Sequence, residues 1–164
     1  MNKTDIETLY RYNEWAWRRV LGQAALVSPE QYVAPAPVPQ GSLRGTSVHA
    51  LAAEVAWRRR WQDDSPAALQ NESDLPAFQA LQERWEREAQ ALQDFVADLT
   101  DTDLNATVHY KTTKGSPMAN VLWHLMAHVV NHGTQHRSEA AMLLTSQGHS
   151  PGDLDLIVFL RESQ

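Results

Sequence analysis

The sequence predicts an all-α chain folded as an antiparallel four-helix bundle with long connections. Three observations carry this expectation. Four long segments space their apolar residues three and four apart, stretches rich in proline and polar residues separate them, and β-branched alternation is confined to one short stretch. With 164 residues the chain has room for one domain, spanning 1–164, with its own core.

The first helix opens with Thr4 and Glu7 at capping-box spacing. Ile6, Leu9, Tyr10, Asn13, Trp17, Val20, Leu21 and Ala24 follow at helical intervals, and Ser28-Pro29 marks the expected stop. Residues 29–45 hold Pro35, Pro37, Pro39, Gly41 and Gly45. Prolines at alternate positions remove amide donors, so this stretch is expected to be a long surface connection. A second helix is expected from Thr46 or Ser47 to about Trp61, with Val48, Leu51, Ala52, Val55 and Trp57 as apolar members. Arg58, Arg59 and Arg60 close it, where positive charge suits the helix dipole, and they read as a solvated helix end.

Residues 62–73 are polar and form a loop. Asp74 and Pro76 open a third helix, carried to about residue 99 by Phe78, Leu81, Trp85, Ala89, Leu92, Phe95, Val96 and Leu99. The stretch TVHYKTT at 107–113, beside Lys114-Gly115, predicts a short strand or hairpin. Ser116-Pro117 reads as the N-cap and first-turn proline of a fourth helix that stops at Gly148. The closing LDLIVFL fits either a strand or a helix.

Composition narrows the function. Lys plus Arg number 14 and Asp plus Glu 20, and a net charge of −6 disfavours nucleic acid as a partner. The absence of cysteine excludes disulfides, thiolate metal sites and a cysteine nucleophile, and fits a reducing, cytoplasmic setting. The polar N-terminus lacks a signal-peptide core, and no apolar run reaches the roughly 20 residues of a membrane span.

The fourth helix carries the main chemical signal. In WHLMAHVVNHGTQHRSEAAMLL, His124, His128, His132 and His136 recur every four residues. That interval stacks side chains one turn apart on one face, with a drift of about 40° per step. Adjacent pairs can share a divalent ion, and spacing alone leaves open which pair does so. A complete site needs a ligand from another helix, and His49, among apolar neighbours in SVHALAAE, is the candidate. His109 and His149 are read as ordinary isolated histidines. The tryptophans Trp15, Trp17, Trp57, Trp61, Trp85 and Trp123 are expected to pack between helices. Trp57, two turns after His49, is also a candidate pocket residue.

These segments resemble the DinB superfamily, the small bacterial bundles also described as DinB/YfiT-like metalloenzymes. GSLRGTSVHALAAEVAWRRRW is similar to the family's second-helix motif, HVVNHGTQHR to its fourth-helix motif, and GHSPGDLDLIVFL to its ending. The resemblance covers nearly the whole chain. It implies one divalent metal held by His49, His132 and His136, with His128 and Arg137 beside it in the pocket. His124 receives no role and is read as a packing residue. Many members continue with Gly-Gln after the His-Arg pair, whereas this chain has Ser138-Glu139.

Three imidazoles would leave a fourth position open for water or substrate, as in catalytic zinc sites. Zinc is the first expected ion and nickel the second. The HExxH glutamate is absent, so a peptidase loses its general base; Glu54 and Glu139 read as solvated carboxylates. The resemblance implies a metal-dependent transferase that uses a low-molecular-weight thiol as its small-molecule partner. The alternatives are a metal-dependent hydrolase and a non-catalytic metal-binding stress-response protein. The resemblance also implies a homodimer.

Overall fold

The computed structural model describes residues 1–163. In chain order it comprises α1 (Lys3–Ala24), α2 (Pro29–Val33), α3 (Leu43–Trp61), α4 (Phe78–Asp98), α5 (Asp101–Asn105), β1 (Thr107–Lys111), β2 (Pro117–Val121), α6 (Leu122–Ser146) and α7 (Leu156–Glu162). The four long helices are those expected, and helix α1 and helix α3 each pack against both α4 and α6. The two strands pair antiparallel, Thr107 facing Val121 and Lys111 facing Pro117. Among the described residues no helix is long and apolar enough to cross a membrane.

Element ends differ from expectation where a short polar side chain reaches an amide first. Helix α1 starts ahead of Thr4 because Asn2 accepts the Asp5 N–H while the Asp5 carboxylate accepts the Asn2 N–H. The connection expected over 29–45 begins with the short helix α2, since Ser28 and Gln31 form the same reciprocal pair and Pro29 occupies a first-turn position that needs no donor. Helix α3 starts at Leu43, capped by Ser42 on the Gly45 N–H.

Helix α4 starts later than expected. Asp74 is used instead to accept the Asn71 N–H and close a 3₁₀ turn, Glu72–Asp74. Pro117 does not open the fourth helix. It lies in β2, and the hairpin turn closes through the Gly115 N–H on the Thr112 carbonyl, with Gly115 at φ 81°. LDLIVFL resolves as helix: Phe159 packs on Tyr12 and Trp15, while Glu162 accepts the Trp15 indole N–H and Arg19.

A belt of polar residues divides the core. One apolar cluster gathers Ile6, Tyr10, Leu92, Val96, Leu122, Met126 and Val129; the other gathers Trp17, Val20, Leu51, Leu81, Trp85 and Leu144. Where they meet, each long helix contributes a buried polar side chain: Asn13, Glu54, Glu88 and Arg137. Asn13 Nδ2 donates to Glu54 Oε1 at 2.8 Å, and Arg137 Nη1 donates to Asn13 Oδ1. Glu88 accepts Arg58 through Nε at 2.6 Å and Nη2 at 2.9 Å, and Arg84 at 3.3 Å. Thus Glu54 is a core residue, contrary to its expected solvation, and Arg58 is committed to the core's edge.

Burial is the main force on Glu54 and pushes its carboxyl up to about 7; Asn13 and Arg137 pull the other way. The folded state therefore holds a proton that the unfolded chain releases near 4.5. Wild-type stability relative to Glu54→Gln should be constant below that value, fall as pH rises towards 7, and level off above it. The total change is on the order of 3 kcal/mol. Urea unfolding of both proteins across this range checks it, and a pH-independent difference would contradict it.

Two helical glycines should respond in opposite directions. A Cβ on Gly45 would collide with the Gln40 backbone carbonyl, which cannot swing aside, so Gly45→Ala should destabilise by about 1–3 kcal/mol. A Cβ on Gly22 meets nothing within 4 Å, so Gly22→Ala should gain about 0.5–1 kcal/mol. Thermal unfolding of the two variants checks both signs.

Candidate metal centre

Helix α3 and helix α6 present the histidines to each other. Ser42 fixes the start of α3, and His49 follows in its second turn between the buried Val48 and Ala50. On α6 His132 and His136 stand one turn apart and face His49. Ring centroids lie 5.3 Å apart for His49–His132, 4.8 Å for His49–His136 and 4.4 Å for His132–His136. One nitrogen from each ring falls within 4.8 Å of the other two.

These distances fit a single ion. Bonds of about 2.0–2.1 Å at tetrahedral angles put ligand nitrogens roughly 3.4 Å apart. His132 Nε2 and His136 Nε2 are 3.2 Å apart, and a His49 nitrogen lies within 4.8 Å of both rings' ligand atoms. The donor chemistry fits as well: three imidazoles suit zinc, nickel or copper and are a poor set for magnesium or calcium.

Burial and mutual repulsion favour the neutral form of two of the candidate ligands. Burial depresses the His132 imidazole to about 4, helped by the neighbouring His136, His49 and His128. His49 is also lowered, first by burial and then by His136. His136 is almost fully buried, and its Nδ1 lies 2.8 Å from Glu139 Oε2. A carboxylate only accepts, so the imidazole proton sits on Nδ1 and the Nε2 lone pair points to the other rings. Glu139 is therefore no free surface carboxylate. It orients a ligand, and its position three residues after His136, on the same helix face, was the sequence signal for that role.

The remaining sequence candidates separate. His128 is exposed, one turn before His132, with ring centroids 5.9 Å from His132 and 5.4 Å from Trp57. Trp57 in turn meets Tyr110 of the hairpin at 5.2 Å. These ring contacts form a continuous row, a shelf of exposed and part-buried rings running from the candidate ligands along α3 and α6. Arg137 turns away from it: its guanidinium is in the core, on Asn13 and Thr134 and over the Tyr12 and Trp17 rings. His124 is exposed against Trp123 at 4.0 Å, outside both core and site.

Removing the Glu139 charge should loosen the ion. Glu139→Gln is expected to weaken zinc binding about 10–100-fold in competition with a chelator. Unchanged affinity would show that the His136–Glu139 contact does not reach the ligand set.

The comparisons with known proteins agree with this architecture. Protein DinB of Bacillus subtilis (strain 168) is 22% identical over 168 residues, an alignment that covers 95% of each chain. A family model described as DinB family matches residues 1–164. With a match over its whole length, four long helices and three converging histidines, the chain belongs to the DinB family.

Proposed function

We propose that this protein is a divalent-metal-dependent enzyme that transfers an electrophilic group to a low-molecular-weight thiol. The observation that supports it is a trio of converging imidazoles, two of them disposed to the neutral form, with no uncommitted carboxylate beside them among the described residues. Glu54 is buried on Asn13, and Glu139 is spent on His136. With both engaged, a hydrolase would have no carboxylate general base here. A thiol asks for less, because its own pKa already lies near 8–9.

A divalent ion on His49, His132 and His136 would supply a Lewis acid that lowers the pKa of a coordinated thiol. The chain's own contribution is to hold three lone pairs at one point and keep them unprotonated. The exposed His128 imidazole stands one turn away, positioned to take the thiol proton and pass it to solvent. The thiolate sulfur forms a bond to the electrophilic carbon, and the leaving group departs with its electron pair. The protein has no cysteine, so the thiol comes from outside and no internal thiolate competes for the ion. Zinc is the proposed ion, with nickel second.

Elemental analysis of wild type and of His49→Ala, His132→Ala and His136→Ala, paired with a panel of small thiols and electrophiles, tests this. Wild type should carry one ion and turn over at least one pair, and each variant should lose both. Metal-loaded protein that is inactive across the panel, or that hydrolyses esters without any thiol, would overturn the transferase assignment.

A further inference from the structure

The three consecutive arginines at the end of α3 have different fates. Arg58 is bidentate on Glu88, and Arg59 reaches Asp64 at 2.7 Å. Arg60 is only 7% exposed, and among the described residues no carboxylate, carbonyl or hydroxyl accepts from it; its Nε is shut off from solvent. Its guanidinium carbon lies 4.7 Å from the Trp57 ring centre and 5.9 Å from that of Tyr110. Stacking on aromatic faces steadies a cation while leaving its in-plane N–H donors unused. A buried charge without a counter-charge is costly, and burial already works against this one.

Trp57, on which Arg60 stacks, also meets His128, which meets the ligand His132. The arginine therefore sits at the far end of the ring-lined shelf that starts at the three histidines. Eight residues separate His49 from Trp57, about 12 Å of helix. The Tyr110 hydroxyl bonds Asn120 Oδ1 at 3.0 Å, so the hairpin holds the second aromatic in place. The chain's net charge of −6 repels anions in general, so a buried cation without an acceptor among the described residues marks a specific place to receive one.

We infer that Arg60, held on Trp57 and Tyr110, binds an anionic group, carboxylate or phosphate, of an elongated small molecule whose other end lies at the three histidines. The planar fork of donors matches either group. This rests on reading the histidine face as the binding face, and it names the substrate class: an anion received at Arg60, whose backbone lies about 16 Å of helix beyond His49.

Isothermal titration of the zinc-loaded protein separates the outcomes. The probes are S-methylglutathione, which carries carboxylates and no thiol, its diester, and inorganic phosphate. Arg60→Gln should weaken S-methylglutathione or phosphate at least about tenfold, and whichever is weakened identifies the group. Arg60→Lys should lie between, the diester should bind both proteins alike, and metal content should not change. In wild type the Arg60 Nε–H resonance should shift with the same probe. Equal affinities in wild type and Arg60→Gln, including phosphate held by the ion alone, would overturn the inference. So would an Arg60→Gln that fails to fold beside an Arg60→Lys that leaves the affinities unchanged. Because the probes carry no free thiol, the result stands apart from thiol turnover: a failed transferase panel leaves it intact, and an active enzyme indifferent to Arg60 removes it alone.

Discussion

The side-chain amide of Asn13 sets the register of three helices. An amide is directional: its nitrogen donates to Glu54 on α3, and its oxygen accepts from Arg137 on α6. Sliding either helix by one residue would break a contact and strand a buried charge. Gly133 completes the clamp by omission, since a Cβ there would lie 2.7 Å from Arg137 Nη1 and 2.8 Å from Asn13 Oδ1. His136 precedes Arg137 directly, and His49 lies five residues before Glu54, about 140° around its helix. The clamp and the histidine face thus occupy opposite sides of the same two helices, and fixing one fixes the other.

This division separates two jobs that charged groups do badly together. Inside, Glu54, Glu88 and Arg137 are buried and engaged with partners on neighbouring helices or turns. At the face, His49 and His132 are half-buried and disfavour protonation, through burial and through the neighbouring rings. Glu139 links the two regimes, since it spends its acceptor capacity on orienting a ring and leaves no loose base at the face.

Much of this was legible in the sequence, for reasons of periodicity. The long helices declare themselves through apolar spacing, and the four-residue histidine interval needs only helix geometry to become a face. The pairing of His49 with the last two histidines was not fixed by spacing and came through family likeness. Helix ends were less legible because Asn2, Ser28, Ser42 and Asn71 compete with nearby capping residues, and only packing decides which one reaches an amide. Glu54 and Arg60 were misread for a related reason. A charged residue at a helical position looks solvated until its three-dimensional neighbours are known, and Asn13, which meets Glu54, and Tyr110, which meets Arg60, are distant in sequence. His124 extends the row by one more interval, yet the helix drifts, and its ring ends against Trp123 instead of the site.

One wall of the shelf is built on the hairpin, through Tyr110 on Trp57. Its two strands pair only with each other, and Val108 and Tyr110 are its inward side chains on β1. Outside that pairing it is tied down through the Lys111 N–H on Ser65 and the Leu122 N–H on the Ala106 carbonyl. Lengthening, shortening or resurfacing this ribbon would redraw the outline of acceptable guests without touching a ligand or a core residue. The hairpin can therefore vary as a module, while the three converging histidines stay as they are.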